Sequence, residues 1–181
     1  MLSRMLLLLL SLSLFSSASS LSCRWMEHKF LQHSNKSLDL IERMARNSTN
    51  TTEDAEVNFP HHLYKQASKA AAEDKLVFTV QVLEEMAAMF EEDHSSASWE
   101  ESTVEHFLMV VTQQAHGLHS CIKSHGHKKQ NKKLLMYFKR LSHILEQKGH
   151  SAASWELIRK EMETHLKRAE QLASSLLTSS T

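Results

Sequence analysis

Histidine and cysteine side chains gather in one stretch of this sequence, at a spacing that can bind a metal ion. The stretch contains His116, His119, Cys121, His125 and His127. A His-x-x-His step on a helix places two imidazoles on one face, where a zinc ion can bridge them. The alternative is a solvated helix end beside a disulfide cysteine. We favour it, because zinc would compete for the same thiol and no fourth ligand is evident, so no metal is predicted.

Cysteine chemistry is limited to two residues, Cys23 and Cys121. In an oxidising compartment an even number of cysteines most simply forms disulfides, so we expect one bridge between them. The alternative is a free catalytic thiol, which needs a base placed beside it. Cys121 falls in a helical pattern without such a base, and the disulfide is therefore the prediction.

A basic run could bind a polyanion. It comprises Lys128, Lys129, Lys132 and Lys133, extended by Lys139 and Arg140. Such a cluster suits heparan sulfate or an acidic protein surface, but it also suits the solvated outer face of a helix. We favour the outer face, because 21 basic and 21 acidic residues cancel over the whole chain and salt screens what remains. The same balance argues against nucleic acid as a partner.

Catalytic signatures are missing from the sequence. It contains no Gly-rich phosphate loop, no Gly-x-Ser-x-Gly elbow and no His-Glu-x-x-His pair. We therefore expect that the protein is not an enzyme and uses no cofactor.

The N-terminal residues have the layout of a secretory signal peptide. Arg4 precedes an apolar run from Leu6 to Phe15, and small residues follow through Ser20 and Ser22. This predicts a signal peptide over 1–22 and one mature domain over 23–181. No later run is apolar enough to span a membrane, so we expect a secreted protein that is not inserted in a membrane.

Three Asn-x-Ser/Thr sequons agree with secretion, since they are acceptors for N-glycans. They lie at Asn35, Asn47 and Asn50. Asn47 and Asn50 fall in a polar loop, whereas Asn35 falls in a predicted helix.

The elements that must position these residues are helices. Only three glycines and one proline are present, and apolar residues recur at three- and four-residue spacings. The predicted fold is an all-α bundle of about five helices. They run from about Arg24 to Arg46, from Leu63 to Glu92, from Ser98 to near Gly126, from Lys128–Lys133 to a C-terminal cap at Gly149, and onward from Ser151–Ser154.

Two local features refine this prediction. Ser98 and Glu101 have the spacing of a capping box that would begin the third helix. The polar segment from Asn47 to His62 predicts a long crossover loop that lets the first two helices run parallel. In the last helix, an apolar stripe is expected to face inward; it comprises Trp155, Ile158, Met162, Ala169, Leu172 and Leu176.

The start of that last helix carries a family motif. The residues from Ser154 to Met162, Ser-Trp-Glu-Leu-Ile-Arg-Lys-Glu-Met, resemble the last-helix signature of type I interferons. Many members have four cysteines, and one of them stands where this chain has Ser154. The two-cysteine pattern is similar to a subgroup found among fish interferons.

The resemblance implies a helical cytokine that is monomeric and bridges two chains of a class II cytokine receptor. Janus kinases attached to those chains would then start an antiviral state. Positions matching the receptor-contacting face are Arg159, Lys160, Glu163, Thr164, Lys167 and Arg168. Arg159 is expected at the border of the buried stripe, where its guanidinium can pair with a receptor carboxylate. Trp155 is assigned to the core.

Two other classes of protein remain open at this stage. One is another class II helical cytokine, interleukin-10-like or type III interferon-like, although those usually carry more cysteines. The other is a secreted helical carrier of small apolar ligands, which would need a sizeable internal cavity.

Overall fold

The protein is built from helices throughout the residues that its computed structural model describes, which are 23–46, 57–123 and 130–178. Seven helices occur in these ranges, and no strand does. They are α1 (Arg24–His28), α2 (Phe30–Arg46), α3 (His61–Ser68), α4 (Ala72–Phe90), α5 (Glu101–His119), α6 (Lys132–Gln147) and α7 (Ala152–Thr178).

Four long helices form the body of the bundle. Helices α2 and α4 each pack against both α5 and α7, while α6 and the short α3 lie against α4 and α7. One continuous core of buried side chains runs between them. The predicted all-α class is therefore confirmed. None of the described helices is long and apolar enough to cross a membrane.

Two predicted helices are each divided in two. The first is interrupted at Lys29, between α1 and α2, and the second between α3 and α4. At the second break Ala71 is extended, with φ −60° and ψ 154°, and serves as the N-cap of α4. Alanine is the best helix former, so the residues at this break gave no local signal for it. The break is set by packing, because it lets α3 lie against α7 as well as α4.

The predicted capping box at the start of α5 is wrong. The helix begins at Glu101, and Glu100 is its N-cap residue. The Glu100 carboxylate accepts hydrogen bonds from Ser102 Oγ at 2.8 Å and Thr103 Oγ1 at 3.3 Å. Trp99 packs against the rings of Phe90 and Trp155, and this contact holds the chain outside the helix at the position where the prediction began it. The helix also ends earlier than predicted, at His119, and Gly126 lies outside the described residues.

The predicted end of α6 is confirmed at Gly149, which has φ 60°. Its N–H donates to Glu146 O, and the His150 N–H donates to Leu145 O, each at 2.9 Å. These two bonds form a Schellman motif, which satisfies carbonyls that the helix leaves open. At the other end, Asn131 is an N-cap that the sequence did not reveal; its side chain accepts from the amides of Lys133 and Leu134.

The predicted inward stripe of α7 is fully buried. Trp155 belongs to the core, as predicted, with 0% of its surface exposed. Met86, Met89 and Met162 are core residues too, whereas Met109 is 50% exposed.

The predicted disulfide joins Cys23 to Cys121, with a Cα–Cα distance of 5.4 Å. It ties the start of α1 to the end of α5. Beside it, the indole ring of Trp25 occupies the space where a Cβ on Gly117 would stand. The glycine therefore lets α1 approach the backbone of α5.

A polar group also lies inside the core. His165 is 0% exposed, and its Nδ1 lies 2.7 Å from the hydroxyl of Tyr64 on α3. Its Nε2 has no hydrogen-bond partner among the described residues. Burial lowers the pKa of His165 from 6.5 to about 3, so the imidazole is neutral in the folded protein.

Gly117→Ala should destabilise the protein by about 1–3 kcal/mol, because the new methyl group overlaps the Trp25 ring. Urea unfolding of the purified protein measures this loss. In a Trp25→Ala background the same substitution should be neutral or slightly stabilising, since alanine has the higher helix propensity. Equal losses in both backgrounds would show that the ring is not the obstacle.

The stability of the fold should fall as the pH drops below 6.5, because the unfolded chain can protonate His165 and the folded protein cannot. Between pH 7 and pH 5 this difference amounts to about 2 kcal/mol. His165→Leu should remove that part of the pH dependence. Urea unfolding at both pH values, with and without the substitution, measures it; identical pH dependence in the two proteins contradicts the assignment.

Candidate functional site

The outward face of α7 carries a stripe of charged and polar side chains. Lys160, Thr164, Lys167 and Arg168 follow one another at four-, three- and one-residue steps, which keeps them on one side of a helix. Lys160, Lys167 and Arg168 are exposed, and Thr164 is half-buried. The structure thus brings these four of the predicted receptor-contacting residues together. We call them the α7 stripe.

Arg159 does not have the exposed position expected of it. Only 4% of its surface is accessible. Its guanidinium binds Glu156 through two nitrogens, with Nε–Oε2 and Nη2–Oε1 distances of 2.9 and 2.8 Å. Nη1 donates to Glu163 at 2.9 Å. The bidentate pairing foreseen with a receptor carboxylate is therefore made inside the protein, with Glu156.

A chain of alternating charges leads from this buried pair to the surface. Glu163 accepts from Arg159 with one carboxylate oxygen and from Lys167 with the other, the second at 2.5 Å. Because the side chain of Glu163 is 21% exposed and that of Lys167 54%, the chain runs outward from the core. The buried arginine thus fixes the position of an exposed lysine in the α7 stripe.

The pKa values reflect this coupling. Burial acts to lower the pKa of Arg159, but the hydrogen bonds that it donates to Glu156 and Glu163 outweigh burial and raise that pKa. Burial acts to raise the pKa of Glu163, but hydrogen bonds from Lys167 and Arg159 hold it below its usual value. The hydrogen bond to Glu163 raises the pKa of Lys167. All three groups are therefore charged at neutral pH.

Helix α2 borders the same surface. Arg159 Nη1 lies 3.3 Å from the carbonyl oxygen of Ile41, and Ser34 Oγ donates to Glu170 at 2.9 Å. The negative charge of Glu42, which is exposed on α2, also raises the pKa of Lys167. The exposed side of α2 and the α7 stripe therefore form one continuous surface held by polar contacts between the two helices.

Sequence reasoning did not find Glu156 as the partner of Arg159. The signal was present, since the two residues are three positions apart and Glu163 is four further on, which are the spacings of helical ion pairs. Glu156 is 5% exposed, so its carboxylate pairs with Arg159 inside the protein and is not part of the surface.

The remaining predicted sites lie elsewhere. Asn35 is exposed on α2, and Asn47 and Asn50 lie outside the described residues. His116 and His119 are exposed on the last turn of α5, while His125 and His127 also lie outside the described residues. Within the described part of the chain, no group of three or more histidine, cysteine, aspartate or glutamate side chains could hold a metal ion.

Arg159→Met should destabilise the protein by about 3–5 kcal/mol, because it leaves the Glu156 carboxylate buried without a counter-ion. Glu156→Leu should cost less, because Arg159 keeps Glu163 as a counter-ion. The double variant should lose much less than the sum of the two, since neither charge is then stranded. Urea unfolding of the four proteins completes the cycle, and strictly additive losses would contradict a buried ion pair.

Comparison with known proteins gives one consistent family. The family model described as the interferon alpha/beta domain matches residues 26–176. Interferon a3 of Oncorhynchus mykiss is 32% identical over 155 residues, covering 85% of this chain and 86% of that protein. Interferon alpha-1 of Sus scrofa is 26% identical over 155 residues, covering 79% and 80% respectively.

A solved structure agrees. Zebrafish interferon 1 superimposes with a TM-score of 0.73 at 28% sequence identity, and the match covers 85% of this chain and 99% of that one. The family predicted from the last-helix motif is confirmed, as is the likeness to fish members with a single disulfide. The chain therefore belongs to the interferon alpha/beta family and is a fish-like type I interferon.

Proposed function

We propose that this interferon is a secreted cytokine that bridges two chains of a class II cytokine receptor and thereby triggers Janus-kinase signalling and an antiviral state. Membership of the family supports the cytokine role. The surface formed by the α7 stripe and α2 is the observation that identifies which residues would bind the receptor. Its charged side chains are exposed, while the polar contacts beneath it are buried.

One receptor chain would bind this surface. Lys160, Lys167 and Arg168 offer cationic donors to carboxylates, and Glu163 and Glu42 offer acceptors beside them. Mixed charges of this kind favour a partner with the complementary arrangement and reject others. Since the residues stand on two packed helices, little ordering would be needed on binding.

Arg159 takes a different part from the one its motif position suggested. Its guanidinium is already bound to Glu156, Glu163 and the carbonyl of Ile41, so it has no free donor pair for a receptor carboxylate. We assign it a positioning role: it holds α2 against α7 and orients Glu163, which in turn orients Lys167. The Arg159 side chain would thus affect receptor binding from beneath the surface.

The second receptor chain would engage the opposite side of the bundle, with a monomeric ligand between the two chains. Bringing the receptor tails together would start signalling without any chemical step in the ligand. The signal peptide predicted over 1–22 and the sequons fit the same extracellular route.

Lys160→Ala/Lys167→Ala should raise the concentration needed for half-maximal antiviral protection by at least about tenfold, because it removes two cations from the centre of the proposed contact. The assay applies mature protein to cells of the source species before viral challenge and counts survivors. Phosphorylation of receptor-bound kinases is recorded in parallel.

The matched control is Lys69→Ala/Lys139→Ala, which removes the same charge from exposed positions outside α2 and α7. It should protect cells as well as the wild type does. If both double variants keep full activity, the α7 stripe is not the receptor contact. If wild-type protein gives neither protection nor kinase phosphorylation, the signalling proposal itself fails.

A further inference from the structure

Two grooves flank the short helix α3, and both are lined by cationic side chains. One, of about 420 Å³, lies between α3, α4 and α7 and includes Lys65, Lys75 and Arg168. The other, of about 340 Å³, lies between α3 and α6 and includes Lys132, Lys133 and Arg140. His61 lines the first groove and His62 the second. No aspartate or glutamate of the described ranges lines either one.

These cations are not neutralised by neighbours within the described residues. The ion pairs formed there by lysine and arginine are those of Arg43, Arg159 and Lys167, none of which lines a groove. Arg168 donates only to the amide oxygen of Gln171. Glu161, whose pKa is affected by the charge of His61, accepts a hydrogen bond from the Tyr137 hydroxyl and does not line a groove. Among the residues that the structure describes, the six lysine and arginine side chains therefore present positive charge that no ion pair balances.

The N-terminal ends of α3 and α6 border the grooves and add to the excess of positive charge there. Helix α6 opens with Lys132 and Lys133, and neither α3 nor α6 has an acidic residue in its first turn. The N-terminal end of a helix carries partial positive charge, so cations there oppose the helix dipole. This arrangement does not favour the helices themselves, but it does favour an anion held above them.

We propose that the two grooves form one band across α3 that binds linear sulfated polysaccharides of the heparan sulfate class. The first turn of α3 connects them, because His61 and Tyr64 line one groove while His62 and Leu63 line the other. On α6 the cations from Lys132 to Arg140 span about 12 Å along the helix axis. A flexible chain with a negative charge on successive sugars matches such a band better than a small anion, which would use one groove only.

The residues that line the grooves also favour sulfated polysaccharides over nucleic acids. Single-stranded nucleic acids bind through exposed aromatic side chains on which their bases stack. The tyrosines that line the grooves, Tyr64 and Tyr137, are only 8% and 2% exposed. The disulfide is typical of an oxidising environment, where sulfated polysaccharides are the abundant polyanions. The band therefore fits a ligand read by charge rather than by stacking.

Binding of the mature protein to immobilised heparin at a series of salt concentrations tests the proposal. Two variants each remove two charges from one groove: Lys65→Ala/Lys75→Ala and Lys132→Ala/Lys133→Ala. Each should weaken binding by roughly three- to tenfold at physiological salt and reduce the salt slope by about two, one for each lost contact. The control Arg24→Ala/Lys36→Ala has the same charge change on α1 and α2, away from both grooves, and should bind as the wild type does.

Circular dichroism and urea unfolding confirm that each variant is folded. The proposal is overturned if wild-type protein does not bind heparin at physiological salt, if desulfated heparin binds as well, or if the control loses as much affinity as the groove variants. If only one of the two groove variants loses heparin affinity, the two grooves do not form a continuous band. Because heparin binding needs no receptor, the result of this test does not depend on the result of the antiviral assay.

Discussion

The guanidinium of Arg159 is buried and has three hydrogen-bond partners on two helices. It pairs with Glu156 on its own helix, reaches the carbonyl of Ile41 on α2 and orients Glu163 towards the surface. A buried charge is tolerated only when it is paired and its donors are used, and here three separate partners meet that condition. The relative position of α2 and α7, and hence the surface they share, depends on this contact.

The rest of the fold supports that arrangement by apolar packing. The long helices bury continuous stripes in a common core, and α7 packs against α2 on one side and α4 on the other. At one end of the bundle, the disulfide and the contact of Trp25 with Gly117 hold α1 on α5. Around α3, the aromatic ring of Tyr64 and the neutral imidazole of His165 join the short helix to α7. Because surface residues stand on rigid helices, their spacing is preserved without a ligand.

The two proposed binding surfaces use opposite borders of α7. Arg159 and Arg168 lie about 100° and 80° from Lys160 in opposite directions around the helix. The first border meets α2 and carries most of the proposed receptor contact, whereas the second meets α3 and carries the cationic band; Arg168 belongs to both surfaces. The alternating charges of the first surface suit a specific protein partner, while the uncompensated charges of the second suit a polyanion.

The sequence by itself determined the all-α class, the partners of the disulfide, the buried stripe of α7, the cap at Gly149 and the family. These features depend on helical periodicity, on the conformational freedom of glycine and on a nine-residue motif, which are all local patterns in the sequence. The disulfide follows from the number of cysteines, since two cysteines can pair in only one way. Tertiary structure alone decided the breaks before α2 and α4, where packing overrides good helix formers. It also decided the start of α5, because the aromatic contacts of Trp99 oppose a plausible capping box. Finally, it decided that Arg159 is buried and that the lysines of α6 line a groove beside α3, since burial and the meeting of distant helices depend on the whole bundle.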